Sequence, residues 1–217
     1  MNIQLQILPL LSVLVLFLVA PVVIILAVSF WDYTEFSLIP DFVLTNYIEI
    51  FESGVTYSTY LNTFKFAFLG WLFTVIIGFT LAYFLAFHVR TLRWQIILFL
   101  ICTIPFWTSN IIRMIAWIPV LGRNGLMNSL LLELGVISEP LEWLLYSDFA
   151  VILAFVHLYT LFMLVPIFNS MMRIDKSIIE AAQDMGANSL QILINVIIPL
   201  CLPGIAIGTI FVISLIM

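Results

Sequence analysis

Long stretches without a charged residue constrain this sequence more than any other feature. Hydrophobic residues make up 64% of the 217 positions and charged residues 9%. A helix needs about 20 residues at ~1.5 Å each to cross a bilayer core of ~30 Å. Four apolar runs have that length, and they cover 7–30, 66–87, 94–112 and 149–172. The sequence therefore predicts an all-α fold, a polytopic transmembrane helical bundle that forms one domain over 1–217.

The composition also excludes several classes of protein. A soluble domain carries about 25% charged residues, and a disordered chain has few apolar ones. No basic cluster suggests nucleic-acid binding, and no Walker lysine motif suggests ATP hydrolysis by this chain. No group of His, Cys and Glu has metal-ligand spacing, and Cys102 and Cys201 fall inside apolar runs as packed or lipid-facing thiols. We therefore predict neither catalysis nor a metal or cofactor site.

The first and last apolar runs need interpretation. No Lys or Arg precedes the first run, which favours an uncleaved span over a signal peptide. The last run, 185–217, contains Pro199 and Pro203, which predicts a division into an amphipathic cytoplasmic piece over 189–198 and a span from Leu202. Sixteen residues then remain, or about 24 Å of helix. We expect that this fifth span is cut short and that the native protein continues.

Basic residues in short loops predict the orientation. Arg90, Arg93, Arg173 and Lys176 lie in two loops on one side of the alternating spans, so that side and the N-terminus should be cytoplasmic. The opposite loops hold nine of the twelve acidic residues. Within them, the apolar stretch 126–137 is too short to span and is predicted to form an interfacial or re-entrant helix.

The longest predicted cytoplasmic excursion, 173–199, reads as two short helices joined by a turn. Ser177 and Glu180 have capping-box spacing, and Gly186 suits the left-handed position that ends a helix. Asn188 can cap the next helix, which Pro199 is expected to stop. From spacing alone, two readings stay open: a platform that docks into a cleft of another protein, or an amphipathic helix on the bilayer.

The same segment resembles the EAA loop of binding-protein-dependent ABC importer permeases. That pattern reads E-A-A-x3-G-x9-I-x-L-P. Glu180-Ala181-Ala182, Gly186 and Pro199 match its spacing, with Val196 in place of Ile and Ile198 in place of Leu. The likeness extends over nearly the whole chain and is similar to the spermidine/putrescine permease branch at 45–47, 112–113, 123–131, 173–175 and 202–204.

The resemblance implies a function and a set of partners. Permeases of this family have about six spans, sit in the bacterial inner membrane and pair with a second permease subunit. Two cytoplasmic ATPase subunits bind ATP and Mg, and an extracytoplasmic binding protein delivers the substrate, here expected to be a polyamine. The ATPase-coupling residues implied are Glu180, Ala181, Ala182, Asp184, Met185 and Gly186. Gly186→Asp should then uncouple transport while membrane insertion persists.

Four residues are candidates for a substrate pathway. Arg113 lies near the predicted outer end of the third span, where it either lines a pathway or snorkels to the interface. Trp107, Trp117 and Tyr159 offer aromatic faces that attract a polyamine through cation–π interactions, although packing or the aromatic belt also explains them.

Two alternatives to a polyamine importer stay open. A secondary transporter or membrane scaffold is one, but such a transporter is expected to carry charged coupling residues inside its spans, and only Arg113 fits. An ABC permease for iron, phosphonate or thiamine is the other, because those permeases share the loop.

Overall fold

A computed structural model describes residues 3–217, with side chains from Ile7 onward. The chain is 77% helical, as the apolar runs predict. It divides into two compact units, one that ends at Leu61 and one over Asn62–Met217. That the chain forms one domain stays a prediction.

The first unit begins with a helix that could cross a membrane. α1 (Ile3–Leu14), a π-helical turn (Val15–Val19) and α2 (Ala20–Val28) follow without a break. Their span Ile7–Val28 has 22 residues and the apolar composition of a membrane-crossing helix. A two-stranded antiparallel hairpin follows, formed by β1 (Asp32–Thr34) and β2 (Ser37–Ile39), and then α3 (Thr45–Glu52).

α4 (Gly54–Tyr83) starts twelve residues before the predicted second span and continues through a π turn, Phe84–His88. Lys65 therefore lies inside this helix, not just outside it as predicted. Its ammonium pairs with the carboxylate of Asp148 at the start of α9 (Asp148–Met171). α9 agrees with the predicted fourth span to within one residue at each end.

The third predicted span is wrong at its outer end. α5 (Leu92–Thr103) leads into a 3₁₀ turn, Ile104–Trp107, and the chain then bends by 93° before the next helical stretch. Pro105 lacks the N–H that an α-helix needs, and the Thr108 hydroxyl donates to the Pro105 carbonyl at 2.8 Å, which closes the turn. The helix therefore ends at Trp107 and does not reach residue 112.

Three short helices follow the bend: α6 (Asn110–Ile115), α7 (Ile118–Leu121) and α8 (Leu126–Glu133). α8 is the short helix predicted within 126–137, and Gly135, whose φ is 67°, follows its C-cap residue Leu134. Together with α5, this stretch has the form of a broken span or a re-entrant loop.

The predicted division of the last run at its prolines is wrong. α11 (Ser189–Ile192), a π turn (Leu193–Ile197) and α12 (Ile198–Ile216) form one helical stretch of 28 residues, which is about 42 Å and enough to cross. The π turn widens the helix just before Pro199, so the ring avoids the carbonyl it would meet in a regular α-helix. Whether the native protein continues stays a prediction.

α9 and α12 form the tightest contact of the second unit. Gly204 and Gly208 let the two helices approach closely, as the GxxxG spacing in α12 allows. A methyl group at Gly204 would lie 2.5 Å from the carbonyl oxygen of Pro166, and one at Gly208 would lie 2.6 Å from the Met163 sulfur. Around this contact lies a buried apolar cluster, which includes Met163, Leu164, Ile167, Met171, Ile197, Cys201 and Val212.

Candidate functional site

The segment between α9 and α11 contains α10 (Lys176–Asp184), which begins at a different residue from the one predicted. Asp175, not Ser177, is the N-cap, and its carboxylate accepts the Ser177 backbone N–H at 3.0 Å. Hydrogen bonds from the Ser177 backbone and hydroxyl lower the pKa of the Asp175 carboxyl. An aspartate at this position also complements the helix dipole. The prediction from capping-box spacing, which made Ser177 the start of the helix, is therefore two residues too late.

The predicted turn after α10 is confirmed. Gly186 has a φ of 84°, in the left-handed region. Its N–H donates to the Gln183 carbonyl at 2.8 Å, and the Ala187 N–H donates to the Ala182 carbonyl at 3.0 Å. These two bonds form a Schellman motif, which fixes the direction in which the chain leaves α10.

The predicted cap of α11 is also confirmed. The Asn188 side chain accepts the Gln191 N–H, and the Gln191 side chain accepts the Asn188 N–H, both at 2.9 Å. This reciprocal pair is a complete capping box. Two caps and one glycine turn therefore set the geometry of the segment from Asp175 to Gln191.

The apolar residues of α10 divide between two faces. Ile179 and Ala182 pack against the buried cluster. Helical spacing predicts one apolar side formed by Ile178, Ile179, Ala182 and Met185, but Ile178 and Met185 are instead 44% and 88% exposed, with Ala181 exposed between them. Positions 178, 181 and 185 share one face of a helix. α10 thus has an inner face fixed to the spans and an outer apolar stripe without a partner among the described residues.

The acidic residues of the implied coupling set also separate. Both Glu180 and Asp184 are exposed, but only Glu180 also lines a cavity of about 360 Å³ behind α10. His88, at the end of the π turn after α4, and Lys176 line the same cavity. The structure therefore brings Glu180 toward the ends of two spans and leaves Met185 pointing away from them.

A larger cavity, of about 710 Å³, lies among α5, α9 and α12. Trp107 lines it and is 86% exposed. Aromatic rings and polar side chains share the lining, which includes Phe106, Phe162, Asn169, Ser170, Arg173 and Phe211. No acidic residue is among the lining residues that the structure describes.

A proline in the wall of this cavity removes one helical hydrogen bond. Pro166 of α9 has no N–H to donate to the Phe162 carbonyl one turn earlier. A carbonyl without its helical partner is costly in a membrane, so this one needs another donor. Sequence reasoning did not single out Phe162, Pro166 or Asn169. The signal available was a proline inside an apolar run followed three residues later by asparagine.

Arg113 does not snorkel to the interface. It is 6% exposed, and its guanidinium donates to the Asn110 side chain and, at 3.5 Å, to the carbonyl of Leu158. Leu158 lies ten residues into α9, or about 15 Å along the helix. Among the described residues, the Arg113 Nε has no hydrogen-bond partner. The side chain therefore ties the segment after the bend to the middle of α9.

The other two aromatic candidates lie apart from Trp107. The Trp117 indole N–H donates to His157 Nδ1 at 3.1 Å, and both line a smaller cavity of about 360 Å³ with Arg113. Tyr159 packs its ring against Phe155 and Phe162 with centroids 5.9 and 6.3 Å apart. The structure thus does not gather the four pathway candidates at one place, and their role stays a prediction.

The chain is similar in sequence to known membrane permeases. The chain is 34% identical over 200 residues to the spermidine/putrescine transport system permease protein PotB of Escherichia coli (strain K12), covering 92% of this chain and 71% of that protein. It is 31% identical over 203 residues to PotB of Haemophilus influenzae, covering 93% and 69%. No protein-family model matches the chain.

A second permease and a solved structure agree with this relationship. The inner membrane ABC transporter permease protein YdcU of E. coli K12 is 28% identical over 199 residues, covering 86% of this chain and 62% of that protein. A crystal structure of a bacterial ABC transporter that imports alginate superposes with a TM-score of 0.77 at 20% identity, covering 98% of this chain and 72% of the other, which shows the same fold. This chain belongs to the PotB family of membrane-spanning ABC transporter permeases.

Proposed function

We propose that this chain is the permease subunit of an ATP-driven importer for polyamines such as spermidine and putrescine. The observation that carries the proposal is the relationship to PotB permeases along 92% of the chain. The proposed assembly contains a second permease subunit, two cytoplasmic ATPase subunits and an extracytoplasmic binding protein. ATP and Mg bind to the ATPase subunits, and this chain supplies the path through the bacterial inner membrane, with its N-terminus in the cytoplasm.

The outer stripe of α10 supports docking to the ATPase. Ile178, Ala181 and Met185 offer an apolar ridge, and the small Ala181 side chain lets another surface come close to the helix backbone. A helix that lays such a ridge into a groove is a common mode of recognition. The proposed role of Glu180 is different, because it lines the cavity between α10 and the span ends.

The inner face of α10 supports transmission to the spans. Ile179 and Ala182 pack on the same buried cluster as α9 and α12, so movement of α10 displaces that cluster. Nucleotide-dependent closure of the ATPase pair then favours one arrangement of the spans over another. The coupling is differential stabilisation of two states by a partner, and this chain carries out no chemistry.

The large cavity supports passage of an organic cation. Phe106, Trp107, Phe162 and Phe211 provide ring faces, and each favourable cation–π contact contributes about 0.5–2 kcal/mol. The Phe162 carbonyl and the Asn169 side chain add acceptors for ammonium groups. Weak acceptors let a polycation bind and leave again, and Arg173 in the same lining would repel it and so limit how tightly it binds.

ATP-dependent uptake in proteoliposomes tests the proposal. The complete complex with its own ATPase and binding protein should accumulate labelled spermidine or putrescine only when ATP is present with the ATPase. Met185→Glu should reduce both uptake and co-purification of the ATPase. Val136→Glu is the matched control, because Val136 is also an exposed apolar residue but lies in the loop after α8.

Attachment of α10 to the ATPase has a direct test as well. A cysteine at Ala181, which is exposed, should crosslink to an ATPase subunit, whereas one at Ala182, which packs inward, should crosslink poorly. Uptake without an ATPase, or equal crosslinking at both positions, would contradict the proposed coupling.

A second candidate substrate is 2-aminoethylphosphonate. The chain is 35% identical over 94 residues to the putative 2-aminoethylphosphonate transport system permease protein PhnU of Salmonella typhimurium, covering 43% of this chain. Arg173 lines the large cavity and would attract a phosphonate. Uptake of labelled 2-aminoethylphosphonate, unaffected by excess spermidine, would favour this candidate over polyamines.

A further inference from the structure

The hairpin after the first span is exposed on both faces. Each strand has three residues, and all six are exposed. Phe36, at the tip, is 95% exposed. An isolated two-stranded hairpin is marginally stable in water, so such a hairpin needs a surface that covers one of its faces.

The two faces of the hairpin differ in polarity. Tyr33 pairs with Leu38, which places both on one face. On the other face, the hydroxyls of Thr34 and Ser37 bond at 2.7 Å, and Asp32 accepts the Tyr33 N–H at 2.9 Å. The Tyr33–Leu38 face therefore carries no charge, whereas the other face carries the Asp32 carboxylate opposite Ile39.

A set of hydrogen bonds fixes the loop ends to the end of the first span. The Asn46 side chain donates to the carbonyls of Ser29 and Trp31 at 3.2 and 2.9 Å, and the hydroxyls of Ser29 and Tyr47 lie 2.7 Å apart. Phe30 stacks on Phe42 with centroids 4.8 Å apart. The hairpin thus leaves and returns to the chain beside the last turn of α2.

The length of the first span determines the depth of these loop ends in the bilayer. The 22 residues Ile7–Val28 measure about 33 Å, close to the thickness of a hydrocarbon core. Residues 29–47 therefore lie at the head-group level, in a layer about 5–8 Å thick. Three-residue strands are about 10 Å long, so a hairpin lying flat stays within or near this layer.

The composition of the loop matches that layer. Six of the eighteen residues from 30 to 47 are aromatic, against 15% in the whole chain, and aromatic side chains concentrate at membrane interfaces. Residues 3–64 contain no Lys or Arg. Asp32, Glu35 and Asp41 make the loop acidic, and Glu35 stands next to the Phe36 tip, where its carboxylate has to stay in the hydrated head-group layer. Contact with lipid must therefore come from apolar insertion and not from attraction to anionic head groups.

We infer that the hairpin lies in the outer lipid interface, with its Tyr33–Leu38 face and the Phe36 tip inserted among zwitterionic lipids next to the first span. The bilayer is the occupant because the hairpin is continuous with the end of a helix whose length and apolar composition suit a membrane crossing. This inference does not depend on which solute the transporter carries.

Fluorescence quenching by lipid tests the inference on the full chain in phosphatidylcholine nanodiscs. An NBD label on Phe36→Cys, with Cys102→Ser and Cys201→Ala, should lose about half of its emission or more when the lipid carries a nitroxide near its head group. A label on Ser37→Cys is the matched control and should be quenched less. The quenching should persist at high salt, because no ion pair contributes.

Three results would overturn the inference: no quenching at position 36, equal quenching at both positions, or a change at position 36 that requires the substrate-binding protein. The last result would assign the hairpin to protein docking. If the cysteine-free background does not assemble, the chain with its native cysteines still answers the question. Cys201 is buried, and the label on the parent chain can be subtracted.

Discussion

Substitution of Gly186 offers the sharpest test of the coupling segment, because the structure separates strain from steric clash. Nothing lies within 4 Å of the position where a Cβ would stand, so a methyl group fits. The φ of 84° nevertheless disfavours any L side chain. An alanine there costs about 1–2 kcal/mol, which changes the ratio of closed to open turn by roughly 5–30-fold.

The strain is relieved if the turn opens, which frees the carbonyls of Ala182 and Gln183 and lets α10 change direction. We therefore expect Gly186→Ala to reduce ATP-dependent uptake severalfold, with a ceiling of about 30-fold, while membrane insertion persists. Gly186→Val should reduce it more. Gly186→Asn should reduce it less, because Asn tolerates the left-handed region. Gly186→Asp, which adds a charge, should uncouple transport.

Gly135 is a matched control within the same chain. Its φ is 67°, nothing lies within 4 Å of its Cβ position, and the N–H groups of Gly135 and Val136 close the same kind of turn after α8. Gly135→Ala should therefore carry a similar strain far from α10. The assays are thermal unfolding and uptake in proteoliposomes. Equal losses of uptake in the two alanine variants would refute the reasoning, since strain alone would then explain the effect.

Asp175→Ala removes the N-cap of α10 and should lower the helicity of that helix. Because the pKa of the Asp175 carboxyl is lowered in the folded protein, the carboxylate stabilises the segment above its unfolded pKa. This contribution should disappear as the pH falls through the folded pKa, and amide exchange on α10 measures the loss. Met185→Glu should leave the unfolding temperature unchanged, since Met185 is almost fully exposed, yet weaken ATPase binding in a pull-down. Gly204→Ala should destabilise the protein by about 1–3 kcal/mol, because its methyl meets the Pro166 carbonyl oxygen, whereas Gly70→Ala meets only the movable end of a side chain and should cost less in the same melting experiment.

The sequence was most informative where one local rule decides the structure. The length of the apolar runs predicted α9 and the first span, because a single segment inside lipid satisfies its backbone hydrogen bonds only as a helix. Gly186, Asn188 and Gln191 predicted their turn and cap, because each forms bonds within a few residues. The family resemblance, which rests on that same segment, is borne out by the relationship to PotB.

Proline was the main source of error, because its effect depends on neighbouring turns that the sequence does not display. At Pro199, a π turn absorbs the ring and the helix continues; at Pro105, a 3₁₀ turn and the Thr108 hydroxyl end it. The site was also harder to predict than the fold. The burial of Arg113 and the separation of Trp107 from Trp117 depend on contacts between distant segments, which periodicity does not reveal.

The close contact of α9 with α12 has a mechanical consequence. Gly204 and Gly208 let the two helices pack without a gap, and α10 with its fixed turn joins the end of α9 to the helical stretch that contains α12. In the proposed mechanism, a displacement of that turn by the ATPase would move both helices together. Phe162 and Phe211, one on each helix, line the large cavity and would move with them. A variant with a looser glycine contact should therefore transmit less of the displacement to the cavity wall, whichever solute is carried.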